Sequence, residues 1–439
     1  MKNRQDDPAL RKANEDNEKT YRLQTARDLD PLMKRIGNAH HVLLGEASHG
    51  THEYYTLRTA ISKRLILEKG FNFIAVEGDW PDCYKLNRFI KGYEYQDKTA
   101  KDLLSEFDRW PTWMWANWEI VALIDWLKDH NSTLPANKRI GFYGLDVYSL
   151  WESLYVLMEY LSKNDPTAAE FAENAIQCFE RYDEDEHRYA RAQRSMDNSC
   201  QEDVINLLVE IRRKAPVYHH DPEATLNTRQ NAEIAVNAER YYRNMTGLEV
   251  NTWNLRDTHM METLNRLLEF HGNDAKAIVW EHNTHIGDAR YTDMAEMGDI
   301  NVGQLVREQK GEEDTVLVGF GSYAGRVIAG DSWGAPMQDK FVPDARPGSV
   351  EEMLHKESPE NRLLIFDRSN EQERFDKVLP HRAIGVVYNP AYEKYGNYVP
   401  TVLNARYDAF IYIDKTKALH PLHVKVDEHK TPETFPFNY

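Results

Sequence analysis

A chain of 439 residues exceeds what one hydrophobic nucleus ordinarily fills, because single cores stop growing near about 250–300 residues, so two lobes are expected. With 41% hydrophobic and 11% aromatic residues, the composition is that of a folded globular protein and excludes extensive disorder. The 54 Lys+Arg against 71 Asp+Glu give a formal charge of -17, which argues against nucleic acid or an anionic membrane as the main partner.

The first thirty residues are polar and lack the apolar segment of a secretory signal. No later window approaches the roughly 18 apolar residues of a membrane span. A soluble, cytoplasmic protein is expected, of undetermined oligomeric state. Three cysteines occur, Cys83, Cys178 and Cys200. Their odd number and wide spacing suggest neither a disulfide framework nor a cysteine zinc site, which fits a reducing compartment.

Six short apolar runs end in polar residues: "HVLLGE" (41–46), "FNFIAVEGD" (71–79), "RIGFYGLD" (139–146), "AIVWEHNTH" (277–285), "TVLVGFGSY" (315–323) and "AIGVVYNP" (383–390). Their apolar residues are nearly continuous rather than alternating, the pattern of strands buried on both faces. Between the first two runs, residues 53–68 place Tyr54, Leu57, Ile61 and Leu65 at helical spacing and finish before a Lys-Gly stop. This β-α-β order predicts an α/β fold, a three-layer core with a mainly parallel sheet. From 150 to 270 the chain turns to long polar-rich helical stretches, read as a helical insertion. The expected divisions are 25–149 for the first part of the α/β core, 150–270 for the helical lobe and 271–439 for the rest of the core. The Gly-, Pro- and Asp-rich stretch near 320–350 suits a hairpin and an extended loop.

Open parallel sheets bind ligands at the carboxyl ends of their strands. Glu46 and His49 follow the first run, Glu77 and Asp79 the second, Asp146 the third, and Glu281, His282 and His285 the fourth. Four strands therefore deliver acids or histidines to one edge. Glu46 also suits the start of a helix, stabilised by its dipole, and Asp146 suits a cap for a helix beginning near Ser149. His49 lies in "SHGT", too polar and glycine-flanked for a core histidine. Glu77 follows "FIAV", where an unpaired carboxylate is costly, so it needs a cationic or hydrogen-bonding partner. His52, His259 and His271 lack such a setting and read as surface or packing residues.

An imidazole oriented by a carboxylate can take a proton from water and return it to a leaving group. Ser48 lies next to His49, but adjacency in sequence does not make a nucleophile–base pair, so histidine-activated water is favoured over a serine nucleophile. Histidines and carboxylates are also ordinary metal ligands, although "EASH" is not the helical zinc signature.

The blocks "LLGEASHGTHEYYTLR", "FIAVEGDW", "GFYGLDVYSLW", "VWEHNTHIGD" and "AIGVVYNPAYEKYGNYVPTVLNARYDAFIYID" resemble the erythromycin esterase family, in the family's order and over roughly residues 25 to 425. The resemblance implies an α/β core with a helical insertion. It also implies that His49 is the general base against a lactone, with Glu46 and Glu77 as the carboxylates around it, Arg58 as a charged site residue and His285 as a second important histidine. Asp146, Glu281 and His282 are expected to contact substrate. The resulting reading is a hydrolase for a small-molecule ester or lactone, with no cofactor and no protein-bound metal, and with Arg58 or His285 stabilising the oxyanion. Two alternatives use the same residues: metal-assisted hydrolysis through Glu46, His49, Glu77 and His285, and a non-catalytic protein that holds a small molecule.

Overall fold

The continuous apolar runs become strands with every residue buried, as at His41–Leu44, Phe73–Val76, Gly141–Gly144 and Ala277–Trp280. The computed structural model describes residues 19–193, 199–214, 222–247, 250–366 and 375–437. Residues 1–18, part of the polar opening stretch read above, lie outside them. The strands are β1 (Thr20–Arg22), β2 (His41–Leu44), β3 (Phe73–Val76), β4 (Gly141–Gly144), β5 (Ala277–Trp280) and β6 (Thr315–Ala329). They continue as β7 (Gln338–Val342), β8 (Arg362–Ile365), β9 (Val378–Arg382), β10 (Tyr398–Val402) and β11 (Ala409–Lys415).

The chain forms two compact units, the first comprising the described residues up to Phe71 with Lys276–His420, the second Asn72–Ala275 with Pro421–Phe437. In the first unit the strand order is β1-β8-β11-β6-β2-β5. Its centre, β11-β6-β2-β5, is parallel throughout, while β8 and β1 add an antiparallel edge. The far half of β6 turns back antiparallel onto β7, and β9 pairs with β10 separately. The helix His52–Lys69 follows β2 and stops at Gly70, whose left-handed φ of 70° a side chain would strain.

The second unit pairs β3 with β4 in parallel and carries the long helices Leu150–Asn164, Pro166–Glu180, Gln201–Lys214, Ala224–Asn244 and Thr252–His271. Its last segment returns across the unit. Lys430 reaches Asp108 at 2.6 Å and Glu152 at 3.0 Å, Arg109 donates to the Thr431 carbonyl, and Tyr148 and Tyr241 both donate to the Phe435 carbonyl. The protein is thus an α/β fold with a mainly parallel sheet and a large helical part, as the sequence predicts.

Two expectations are corrected. Residues 383–390 form no strand: Ala383, Ile384, Val386 and Tyr388 are buried, but their backbone bonds to loops, Ile384 N to Ala47 O and Tyr388 N to Gly330 O. Apolarity there reports burial against the turn after β2 and not a ladder. The cysteines also depart from expectation, for Cys178 and Cys200 are disulfide-bonded. The helices Pro166–Glu180 and Gln201–Lys214 pack together and bring the two sulfurs into register, a proximity that their 22-residue spacing does not announce. Among the described residues no helix is long and apolar enough to cross a membrane.

Candidate functional site

In the first unit β2 ends at Leu44 and Gly45 carries the chain beneath Asn283. A Cβ at Gly45 would sit 2.1 Å from Asn283 Oδ1, so only glycine fits. The turn that follows is held by backbone and hydroxyl contacts: Ile384 N donates to Ala47 O at 2.8 Å, Tyr55 Oη to His49 O at 3.2 Å, and the Ser48 and Thr51 hydroxyls meet at 2.5 Å. A tight turn of this kind aims Glu46 and His49 at each other.

Glu46 bridges two partners. Its Oε1 lies 2.9 Å from His49 Nδ1 and its Oε2 accepts from Arg58 Nη2 at 2.7 Å. All three side chains are buried, Arg58 completely. The helix His52–Lys69 turns Tyr54, Tyr55, Arg58, Ile61 and Ser62 inward. Arg58 therefore lies on the apolar face, with its guanidinium 4.4 Å from the Tyr55 ring centroid and 4.7 Å from that of Trp280. Stacking on two aromatic faces partly replaces the hydration that burial removes. An acceptor-only carboxylate next to an arginine requires His49 to carry its proton on Nδ1. Nε2 then bears the lone pair, and it is a buried nitrogen without a hydrogen-bond partner.

At the end of β5, Glu281, His282 and His285 are all buried. His282 caps the short helix Asn283–Ile286, with Nδ1 accepting from Thr284 N at 3.3 Å and meeting Thr284 Oγ1 at 2.9 Å. An accepting Nδ1 leaves the proton on Nε2, the opposite tautomer to His49. The two rings lie 5.0 Å apart between centroids. His285 follows one turn on, its N bonded to His282 O at 2.9 Å.

The second unit holds the other predicted carboxylates. Glu77 follows β3 and Asp146 follows β4, and Arg256 from the helix Thr252–His271 joins them. Its Nη2 reaches Glu77 Oε1 at 2.7 Å and Asp146 Oδ2 at 2.6 Å, while its Nε reaches Asp146 Oδ1 at 2.9 Å. Burial works against the Arg256 charge, but Asp146, Tyr148 and Glu77 outweigh it and hold the guanidinium protonated. Asp146 does not cap the helix Leu150–Asn164, whose cap is Ser149. Asp79 is similarly taken by Arg109 at 2.5 Å. His259 and His271 are packing residues: burial pushes each down to about 3, with His259 held by Asn237 at 2.9 Å and His271 stacked on Phe73 at 4.7 Å.

Arg256 was not recognisable in the sequence, since its partners lie 110 and 179 residues away. Its only signal is an arginine inside an otherwise amphipathic helix. Asn283, whose side chain ties β5's end to β6, sits inside the quoted "EHNTH" without distinguishing chemistry. As for a metal, Glu46, His49 and His285 do not bring their ligand atoms within 4.8 Å of one another, and both Glu46 oxygens are already engaged. The residues do not fit a shared cation.

The family model described as Erythromycin esterase matches residues 66–416. The chain is 21% identical over 365 residues to an Escherichia coli protein named erythromycin esterase type II, covering 77% of this chain and 83% of that one. Among solved structures it is similar to a Bacillus cereus protein (TM-score 0.77, 20% identity, 94% of this chain and 98% of that one). It is also similar to a succinoglycan biosynthesis protein (0.72, 22%, 94% and 99%) and to an erythromycin esterase mutant, EreC, in its open conformation (0.66, 16%, 94% and 99%).

Proposed function

Since the chain belongs to the erythromycin esterase family, we propose that it is a hydrolase that opens an ester or macrolide lactone with water activated by His49. The observation that carries this reading is the unpartnered, buried Nε2 of His49, opposite an Nδ1 bonded to Glu46 at 2.9 Å. An imidazole so fixed offers one lone pair in one direction, the arrangement of a general base, which is worth typically about 10²–10⁴-fold in rate.

Water hydrogen-bonded to His49 Nε2 loses a proton to it as its oxygen attacks the acyl carbon, and the carbonyl π electrons move onto oxygen. Collapse of that tetrahedral intermediate breaks the acyl C–O bond. The departing alkoxide takes the proton back from Nε2. Glu46 stabilises the transient imidazolium and Arg58 fixes Glu46. Arg58 also retains Nε and Nη1 without partners, so it or His285 supplies the donor for the oxyanion, where preorganised donors matter most. Glu281 and His282 are assigned to polar groups of the substrate. Glu77 and Asp146 are assigned to the ion-paired group that Arg256 organises in the second unit.

The Escherichia coli relative's name supplies the macrolide as substrate class, and macrolide opening would act as antibiotic resistance. Mass spectrometry of a macrolide panel with simple aryl and alkyl esters tests the reading. Addition of one water by the wild type and not by His49→Ala is expected. Unchanged masses across the panel would overturn it.

A further inference from the structure

Asn283 is the joint between the turn after β2, strand β6 and the two histidines after β5. Its Nδ2 donates to Phe320 O at 2.6 Å and its Oδ1 accepts from Phe320 N at 3.2 Å, so the side chain pairs with β6 as a strand residue would and its amide orientation is fixed. Its backbone N donates to Glu46 O at 2.8 Å. Its carbonyl accepts from Gly287 N at 3.0 Å and from Arg406 Nη2 at 2.9 Å. Because His282 is the preceding residue, the seat of Asn283 sets how His282 stands beside His49.

Behind Asn283 lies a second, wholly buried acid and histidine. Glu351, on the helix Val350–Glu357, accepts at Oε1 from His381 Nδ1 at 2.6 Å and from Arg382 N at 3.0 Å. His381, on β9, turns Nε2 toward Asn283 Nδ2 at 3.3 Å. The rings of Phe410 and Tyr407 wall it edge-on, 5.3 and 6.0 Å away. Burial pushes the His381 pKa down; it also works against the Glu351 charge, yet His381 and Arg382 outweigh it and hold that carboxyl low. The outcome is a carboxylate bonded to a neutral imidazole protonated on Nδ1, so Nε2 is the acceptor for the Asn283 amide. Such a buried polar pair is weak as a stabilising device. With Glu351 Oε1 and both ring nitrogens of His381 bonded, it specifies one position for the group it bonds.

We infer that Glu351 and His381 form a positioning pair for Asn283, through which they set His282 against His49. This rests on the hydrolase reading for its kinetic consequence, not for its geometry. The pair touches no reacting atom; it fixes a shell that does, and displacements of about 1 Å in such shells cost up to about a hundredfold in rate.

The test compares His381→Asn with His381→Gln. An asparagine amide reaches only the Nδ1 position, so it keeps the Glu351 bond and abandons Asn283. A glutamine carbonyl reaches the Nε2 position and can accept from Asn283 again. His381→Asn is expected to lower kcat about tenfold to a hundredfold, with KM and the thermal midpoint nearly unchanged, and His381→Gln to recover part of the loss, since it accepts from Asn283 again but lacks the bond to Glu351. Wild-type kcat in His381→Asn overturns the inference. So does a kcat loss that follows a fall in thermal midpoint and that His381→Gln shares. Side-chain ¹⁵N resonances of histidine-labelled protein give a readout independent of turnover. The His282 ring signals should move in His381→Asn and return in His381→Gln. If the wild type hydrolyses nothing, the hydrolase reading falls and these signals alone decide the inference, unmoved His282 signals overturning it.

Discussion

Glu46 stands between His49 and Arg58 with one oxygen committed to each, at 2.9 and 2.7 Å. Glu46→Gln keeps an oxygen for one partner but sets an amide against the other and removes the charge that supports an imidazolium. Hydrolytic kcat should fall by about a hundredfold or more. Stability should drop as well, since removing one member of a buried ion pair costs about 3–5 kcal/mol. Steady-state kinetics together with urea unfolding measure both, and a variant with wild-type kcat would remove Glu46 from the proposed mechanism.

Arg256 is shared by Glu77 and Asp146, so Arg256→Met leaves two buried carboxylates without the cation between them. A loss of about 3–5 kcal/mol is expected. The double variant Arg256→Met with Asp146→Asn should recover part of it, because one of the stranded charges is gone. Comparing the unfolding midpoints of the single and double variants checks the coupling.

Glu186 gives a pH dependence of definite sign. Burial, followed by the opposing pull of Arg109 and the push of Glu152, raises its carboxyl to about 8, while Thr431 Oγ1 donates to it at 3.2 Å. The folded state therefore binds this proton more tightly than the unfolded chain, whose glutamates titrate near about 4.3. The associated stability is complete below that value and declines as pH rises toward 8. Thermal midpoints across pH 5 to 8 should fall in the wild type, and the slope should flatten in Glu186→Gln. Identical slopes would show that Glu186 does not hold the proton.

The Cys178–Cys200 bond closes a loop of 22 residues, for which chain entropy gives about 3 kcal/mol. Cys200→Ser should lower stability by that order, and reductant should lower the wild type to the same level without affecting the variant. Intact mass after alkylation, with and without reductant, reports whether the bond is present.

Gly45→Ala tests the seat of Asn283. With the new Cβ only 2.1 Å from Asn283 Oδ1, the amide must move, and the His49 turn or the His282 turn moves with it. Hydrolysis should fall by about a hundredfold, whereas Gly70→Ala, with nothing within 4 Å, should cost only the strain of its left-handed backbone, about 1 kcal/mol.

The parts of this arrangement that the sequence reveals are those set by local rules. Strands β2 to β5 were readable because burial on both faces makes their apolar runs continuous, and Glu46, His49, Glu77, Asp146 and His282 because they follow those runs directly. Arg58 depends on the family resemblance; its burial follows from a helix face wider than the Tyr54, Ile61 and Leu65 stripe, with Tyr55 and Ser62 on it, while Leu57 is only half-buried. Residues 383–390 misled because a buried loop and a buried strand share a composition. Strand β11 is not among the six apolar runs, although Ala409–Asp414 are all buried. Arg256, the Cys178–Cys200 bond and the Glu351–His381 pair were invisible for one reason: each is defined by a partner distant in the chain, and spacing carries no information about such pairs.

The returning segment Pro421–Phe437 has a consequence for synthesis. Asp108 and Arg109 find Lys430 and Thr431 only across 322 residues, so the helical unit, although most of its chain leaves the ribosome before residue 276, stays unfinished until the intervening strands of the other unit have been made. Contacts of such long range slow folding. Translation therefore presents a half-closed helical array for as long as those strands take to emerge, and a nascent chain stalled before residue 421 should be the species that chaperones retain.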